Sequence, residues 1–65
     1  MNETNKWHNA DTDKPANESE VLLRVRKDDG RIIYIIGFYR GYEYGDDNAE
    51  ITHYDKVTHW IELPY

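Results

Sequence analysis

Three histidines, His8, His53 and His59, are the residues best suited to bind a metal ion in this 65-residue chain, which has no cysteine. A zinc ion needs three or four ligands that converge on one point. No two of these histidines have the spacing that places a pair of ligands on one helix face, and His53 and His59 fall on different predicted strands. The pattern therefore indicates no metal site, and we expect the protein to need no cofactor.

Nucleophilic and acid–base catalysis have little support in the sequence. Ser19 is the single serine, and no histidine or acid is patterned around it as in a nucleophile elbow. The adjacent carboxylates Asp28-Asp29 and Asp46-Asp47 lie in turn-forming stretches, where acids usually bond the local backbone. A chain this short also has little room to enclose a substrate pocket. We expect no catalytic residues and a protein that is not an enzyme.

Basic residues concentrate in the middle of the chain. All four arginines lie in residues 21–40, both flanking segments are acidic, and the net charge is -5. Three of them, Arg24, Arg26 and Arg40, would suit an anion or a nucleic acid, with Tyr34 and Trp60 as stacking rings. The other interpretation is that their stems cover an open sheet face and their charged heads pair with the acidic flanks. The negative net charge opposes general binding to nucleic acid, so we regard nucleic acid as a poor candidate partner.

A turn-rich acidic segment follows at residues 41–48, with the sequence Gly-Tyr-Glu-Tyr-Gly-Asp-Asp-Asn. Tyrosine is enriched at protein interfaces because it offers a large contact area with a polar tip. We therefore predict a partner-binding surface made of Tyr39, Tyr42, Glu43, Tyr44, Asp46 and Asp47.

The length of the chain sets the scale of the fold. A chain of 65 residues holds one domain at most, and so small a core needs reinforcement. Disulfides are excluded, which leaves six Tyr, two Trp and one Phe, or a partner chain that covers apolar surface. Neither a signal peptide nor an apolar run near 20 residues is present. We therefore expect no membrane partner and a cytoplasmic location.

Hydropathy alternation predicts strands and little or no helix. Residues 1–20 form a polar N-terminal arm, in which Trp7 is expected to fold back over one end of the sheet. Residues 21–65 form an antiparallel β domain that begins with an alternating strand over residues 21–26. The next strand, residues 31–40, is apolar on both faces and needs cover on both. Its second face is either closed by the arm and by curling of the sheet, or it is an interaction surface.

Turn residues separate these strands. Residues 28–30, Asp-Asp-Gly, predict a hairpin with a two-residue turn that pairs Asp28 with Arg31. A three-residue loop would set Lys27 against Arg31, which like charges disfavour. Gly37 indicates either a bulge or the close approach of a ring from a neighbouring strand.

Two further strands are predicted over residues 51–54 and 57–63. The fold class is thus mainly β, a small antiparallel meander of three to four strands. In the last strand the more apolar stripe is Val57, His59, Ile61 and Leu63. We therefore expect His59 to be buried and Trp60 to lie on the opposite face, unless a bulge alters the alternation.

The spacing of several of these residues is typical of a known family. They are Trp7, Pro15, Val-Leu-Leu at residues 21–23, Gly-Phe-Tyr at residues 37–39 and the closing Val-Thr-His-Trp-Ile-Glu-Leu-Pro run of residues 57–64. The sequence resembles the domain of unknown function 551, a family of small proteins common in bacteriophages and prophages. The resemblance implies a phage-linked context and no catalytic residue.

These observations predict a small non-enzymatic interaction factor of phage or mobile-element origin that binds a host or phage protein. Inhibition of a host protein through the acidic tyrosine-rich surface is one form of that activity. A homodimer through the exposed sheet face is a further expectation. The alternative is a nucleic-acid or anion-binding module that uses Arg24, Arg26 and Arg40.

Overall fold

β-Branched and aromatic residues form the long strands close to where the alternation predicts them. The computed structural model describes residues 6–63, so Pro64, the last residue of the closing run, lies outside the described residues. The strands are β1 (His8–Asn9), β2 (Val21–Arg26), β3 (Ile32–Tyr39), β4 (Tyr44–Gly45) and β5 (Lys56–Glu62). Within the described residues, no helix is long and apolar enough to cross a membrane.

The five strands pair antiparallel in one sheet, with the order β1-β5-β2-β3-β4. β2, β3 and β4 follow one another as a meander, and β5 returns to the other side of β2, which gives β2 to β5 the strand order of a Greek key. The predicted mainly β antiparallel class is confirmed, with five strands where three to four were expected. β1 and β4 each span two residues, too few for an alternating pattern to reveal them.

The hairpin between β2 and β3 has a three-residue loop, so the predicted two-residue turn is wrong. The N–H of Lys27 donates to the carbonyl of Arg31 at 2.7 Å, and Gly30 adopts a positive φ of 92°. Repulsion between the two cations is avoided because each has its own carboxylate. Arg31 Nε pairs with Asp29 Oδ2 at 2.7 Å, and Lys27 Nζ pairs with Asp55 Oδ2 at 2.7 Å.

A β-bulge in β5 changes the predicted burial of the last strand. The register with β2 shifts by one residue beside Thr58. Because a bulge alters the alternation, Val57 and Trp60 both lie on the covered face, with exposed fractions of 8% and 6%. His59 is only half-buried and lies on the opposite face. The predicted burial of His59, and the predicted placement of Trp60 opposite Val57, are therefore wrong.

The predicted strand over residues 51–54 is also wrong, since this segment is a loop organised by two carboxylates. Asp46 accepts the backbone N–H groups of three loop residues at 3.0–3.2 Å, those of Asn48, Glu50 and Ile51. Asp55 accepts the N–H of Thr52 at 2.9 Å. These carboxylates accept hydrogen bonds from backbone N–H groups that, in a strand, would bond to a neighbouring strand. The segment therefore needs no strand partner.

Gly37 lies where β2, β3 and β4 approach most closely. A Cβ atom on Gly37 would lie 2.5 Å from the carbonyl oxygen of Gly45 and 2.6 Å from Leu23 Cδ1. The close neighbours are thus a leucine side chain and the backbone of β4, and no aromatic ring is among them.

The sheet has one covered face and one open face. The covered face carries the buried side chains, which are Val21, Leu23, Val25, Val57 and Trp60, joined by Ala10 from the arm. Tyr44 and Ile51 pack against this cluster from β4 and the loop that follows it. The open face consists, by strand register, of Leu22, Arg24, Arg26, Ile32, Tyr34, Ile36, Lys56, His59 and Ile61, with Trp7 beside Tyr34. Within residues 6–63, the arm and the loop after β4 therefore close one face only.

Candidate functional site

The predicted partner-binding tyrosines gather around one shallow cleft. Tyr39, Tyr42, Glu43 and Tyr44 line a cavity of 260 Å³ together with Lys14 from the arm. The ring centroids of Tyr39 and Tyr44 are 4.9 Å apart, and Lys14 Nζ lies 5.4 Å and 5.6 Å from them. This volume is below the roughly 300–1,000 Å³ of typical small-molecule sites. The cleft is therefore better suited to contact with a protein surface than to enclosing a ligand.

Two of the six predicted partner-binding residues make hydrogen bonds that hold the fold together. Tyr44 donates its hydroxyl to the carbonyl of Ala10 at 3.0 Å, and burial raises the pKa of Tyr44 to about 12. Asp46 organises the loop after β4 through its bonds to backbone N–H groups. The exposed members of the set are Tyr42, whose exposed fraction is 77%, with Glu43 and Asp47.

The three arginines of the predicted anion site are not brought together. Arg24 and Arg26 share the open face, whereas Arg40 follows the far end of β3. Arg40 stands about six residues along the chain from Tyr34, the strand partner of Arg24, which corresponds to about 20 Å.

Each of the two separated arginines has a partner within the fold. Arg24 Nη1 donates to Thr58 Oγ1 at 2.7 Å, across the β5 bulge. Arg40 lies 3.5 Å from the carboxylate of Glu43 and packs over the ring of Phe38 at 5.2 Å. Arg26 is exposed at the end of β2.

Sequence reasoning missed the importance of Asp55, which holds the end of the hairpin against the loop before β5. Its side chain is only 2% exposed and accepts bonds from Lys27 Nζ and from the N–H groups of Thr52 and Asp28. The Lys27 ammonium, helped by these N–H groups, lowers the pKa of Asp55 from 3.8 to about 2. A single acid in a turn gave no signal of this role, because its partners Lys27 and Asp28 are distant in sequence.

The open face exposes more large apolar side chains than any other described surface. Its exposed members are Tyr34 at 57%, Ile36 at 55%, Trp7 at 41% and Ile32 at 36%. The Trp7 ring centroid lies 6.0 Å from that of Tyr34, so Trp7 contacts the open face, and the prediction that it caps an end of the sheet is wrong. Trp60, predicted as a stacking ring for nucleic acid, is buried on the other face.

The charge on the open face is one-sided. Its ionisable members are Arg24, Arg26, Lys56 and His59, and none of the residues assigned to it by register is acidic. Lys56 Nζ is paired with Asp11 Oδ1 at 2.6 Å, which leaves the two arginines without a carboxylate partner among the described ion pairs. The acidic residues with described partners lie in the arm, the hairpin loop and the loops around β4. A net negative protein therefore presents an apolar face with two arginines on it.

The histidines lie apart from one another. His8 stacks on Trp60 at 4.3 Å and pairs with Asp13, while His53 contacts Tyr54. Within residues 6–63 no group of three or more histidine and acidic side chains is placed to hold a metal ion.

Comparisons with protein-family models, curated proteins and solved structures gave no match. The fold and the two surfaces define a class only, a small antiparallel β protein with one covered and one open sheet face. The resemblance to the domain of unknown function 551 stays a prediction.

Proposed function

We propose that this protein is a non-enzymatic protein-binding factor that uses the open face as its main contact surface. The observation that carries the proposal is the group of four large apolar side chains exposed together there: Trp7, Ile32, Tyr34 and Ile36. Contiguous apolar surface on a small protein usually marks an interaction site, and aromatic residues with arginine are common anchors at protein interfaces.

The charge of this face indicates the chemistry of the partner. Arg24 and Arg26 lie beside the apolar residues with no acid on the same face. A complementary protein surface has an apolar centre flanked by carboxylates, because unmatched charges at an interface weaken binding. Aliphatic residues contribute as much to the face as aromatic ones, which favours a protein over a chain of stacked bases.

The biological setting in this proposal comes from the sequence resemblance alone. It is that of a phage or mobile-element factor that binds a host or phage protein. The acidic surface of Tyr42, Glu43 and Asp47 is the second surface available for such a partner, and inhibition of a host protein through it stays a prediction.

The test is affinity capture from host lysate, identification of the captured protein by mass spectrometry, and measurement of Kd with the purified pair. Trp7→Ala and Arg26→Glu should each weaken binding by about tenfold or more, as substitutions at interface anchors do. Tyr42→Ala, a substitution of an exposed tyrosine in the cleft, is the matched control and should leave Kd unchanged. If Tyr42→Ala abolishes binding while Trp7→Ala does not, the tyrosine cleft is the interface and the proposal is wrong.

A single-stranded nucleic acid is the second candidate ligand, because Arg24 and Arg26 lie on the same face as the exposed rings of Trp7 and Tyr34. Bases would stack on the rings, and phosphates would contact the arginines. Binding of this kind should weaken steeply between low and physiological salt and should be lost on Arg24→Ala. An oligonucleotide that shows no gel retardation at low salt removes this candidate.

A further inference from the structure

The outer edge of β3 is exposed over most of its length. β2 pairs with one side of β3 from Ile32 to Gly37, while β4 pairs with the other side only at Phe38 and Tyr39. Within residues 6–63 no other strand pairs with this outer edge. β4 ends early because the chain turns at Asp46, whose carboxylate binds the loop that follows. A strand edge of about five residues is left without a neighbour, and such an edge is a template for another strand.

The hydrogen-bonding direction of each β3 residue follows from the two ends of the strand. The N–H of Lys27 donates to the carbonyl of Arg31, so that pair is hydrogen-bonded. In an antiparallel ladder such pairs alternate, which directs the N–H and C=O groups of Ile33 and Ile35 toward β2. The corresponding groups of Ile32, Tyr34 and Ile36 then point outward. The bond from Arg40 N–H to the Glu43 carbonyl, at the other end of β3, gives the same alternation of inward and outward backbone groups.

The residues of this edge are symmetric about Tyr34. Residues 32–36 read Ile-Ile-Tyr-Ile-Ile, which is the same sequence in both directions. In an antiparallel pair of two copies centred on Tyr34, each Tyr34 faces the other, and Ile32 of one copy faces Ile36 of the second. All three facing pairs consist of residues whose backbone groups point outward, so each pair exchanges both N–H···O bonds. The same arrangement places isoleucine opposite isoleucine on both sheet faces.

The geometry points to a second copy of this chain as the occupant of the β3 edge, forming a two-fold symmetric dimer with one continuous sheet. Natural edge strands usually carry lysine, proline or a bulge that prevents such pairing, and residues 32–36 have none of these. A two-fold pair uses the same edge of both copies and closes, so it does not propagate into a fibre.

The ends of the edge set the length of this pairing. Centring on Tyr34 sets Arg31 of one copy opposite Gly37 of the other, next to Phe38, where β4 pairs with β3. Arg31 keeps Asp29 of its own copy as its ion-pair partner at 2.7 Å. Pairing between the two copies stops where β4 occupies the edge of β3. The unoccupied stretch of β3 therefore has the same length on both copies.

The test measures mass and amide exchange of the purified wild-type chain from micromolar to millimolar concentration. Sedimentation equilibrium should show a mass that rises to twice that of the chain. Over the same range, amide exchange at Ile32, Tyr34 and Ile36 should slow by about tenfold or more, while Ile33 and Ile35 are protected throughout. A mass of one chain at every concentration overturns the inference. A doubled mass with fast exchange at Tyr34 and Ile36 also overturns it, because the copies then meet through the open face.

A pair of variants at one position isolates the backbone contribution. Ile36→Pro removes an outward N–H that β2 does not use, so it should fold and sediment as a single chain. Ile36→Thr changes the side chain but retains that N–H, and it should still dimerise. A folded Ile36→Pro variant that dimerises like the wild type contradicts edge pairing, and the exchange measurement on the wild type decides the matter if this variant does not fold. The binding test above uses Trp7 and Arg26, which lie off this edge, so the two proposals fail separately.

Discussion

Two adjacent leucines of the central strand β2 differ in how deeply they are buried. Leu23 is fully buried on the covered face, whereas Leu22, on the open face, is only half-buried. Their neighbours across the strands are equally apolar, since Leu23 faces Ile35 and Leu22 faces Ile36. At these two positions the strands are thus apolar on both faces, although Arg24 and Arg26 make β2 more polar on the open face. The difference in burial between Leu22 and Leu23 is set by the segments that cross the covered face.

Polar side chains hold those covering segments in place. Trp60 Nε1 donates to the carbonyl of Asp13, and the Tyr44 hydroxyl donates to that of Ala10, so the arm is bound to β5 and to β4. Asp55 connects the loop before β5 to the hairpin through Lys27. The covered face therefore depends on a few hydrogen bonds between segments distant in sequence, and within residues 6–63 no segment covers the open face in the same way. Three predictions test this comparison.

The largest expected effect comes from removing Trp60. Truncating a buried tryptophan typically costs about 3–5 kcal/mol, which is comparable with the whole stability of a domain this small. Trp60→Ala should therefore unfold the protein, seen as loss of a cooperative thermal transition by circular dichroism. Truncation also removes the ring on which His8 stacks and the donor to the Asp13 carbonyl.

Trp7→Ala is the matched control on the open face. Trp7 is 41% exposed and contacts Tyr34, so its removal should leave the cooperative transition in place. If both variants keep the transition, Trp60 does not support the core and the contrast between the faces fails. If both lose it, the open face contributes to folding as much as the covered face does.

The sequence predicted the long strands well because alternation is a local property. β2 and β3 occur almost where expected. The second face of β3 is not closed by the described residues, and its use as an interaction surface stays a prediction. The placement of Trp60 and His59 was wrong because a one-residue bulge at Thr58 leaves no mark in hydropathy. The loop at residues 51–54 was predicted as a strand from its hydropathy. The backbone N–H groups of Ile51 and Thr52 instead donate to the carboxylates of Asp46 and Asp55, three to five residues away, and hydropathy does not reveal such bonds.

The tyrosine cleft could be predicted in part because its tyrosines are local in sequence. Tyr39, Tyr42 and Tyr44 are close in sequence and do line one cleft. Arg24 and Arg40 are both basic and both lie in residues 21–40, but most of β3 separates them in the fold. The position of Trp7 beside Tyr34 depends on β1 pairing with β5, a contact between distant parts of the chain.

The second prediction concerns Asp55 and acid stability. Its pKa falls from 3.8 to about 2 in the folded state, so the unfolded chain binds more protons between these values. The stability that Asp55 contributes is present above pH 3.8 and is lost as pH falls through 2. Asp55→Asn should be less stable at neutral pH and should show a flatter loss of stability across this window, measured by urea unfolding at several pH values.

Asp47→Asn makes the same change of charge at an exposed residue and is the control for Asp55→Asn. It should retain both the neutral stability and the acid dependence of the wild type. An Asp55→Asn variant whose acid dependence matches that of Asp47→Asn would show that the Lys27–Asp55 pair does not stabilise the covered face.

The smallest effect is expected for Tyr44→Phe, which removes one hydrogen bond between β4 and the arm. The ring still packs on the core, and the Ala10 carbonyl keeps the bond from Lys14 Nζ at 2.8 Å. The loss should therefore be about 1 kcal/mol, the usual net value of one hydrogen bond, measured by urea unfolding against Tyr42→Phe as the exposed control. Burial raises the pKa of Tyr44 from 10.0 to about 12 in the folded state, so the wild type should lose the stability linked to the protonated hydroxyl as pH rises between those values. Tyr44→Phe should be less sensitive across the same range. A loss at neutral pH no larger than that of Tyr42→Phe would mean that the hydroxyl bond to Ala10 does not hold the arm on the covered face, and that packing of the Tyr44 ring alone closes it.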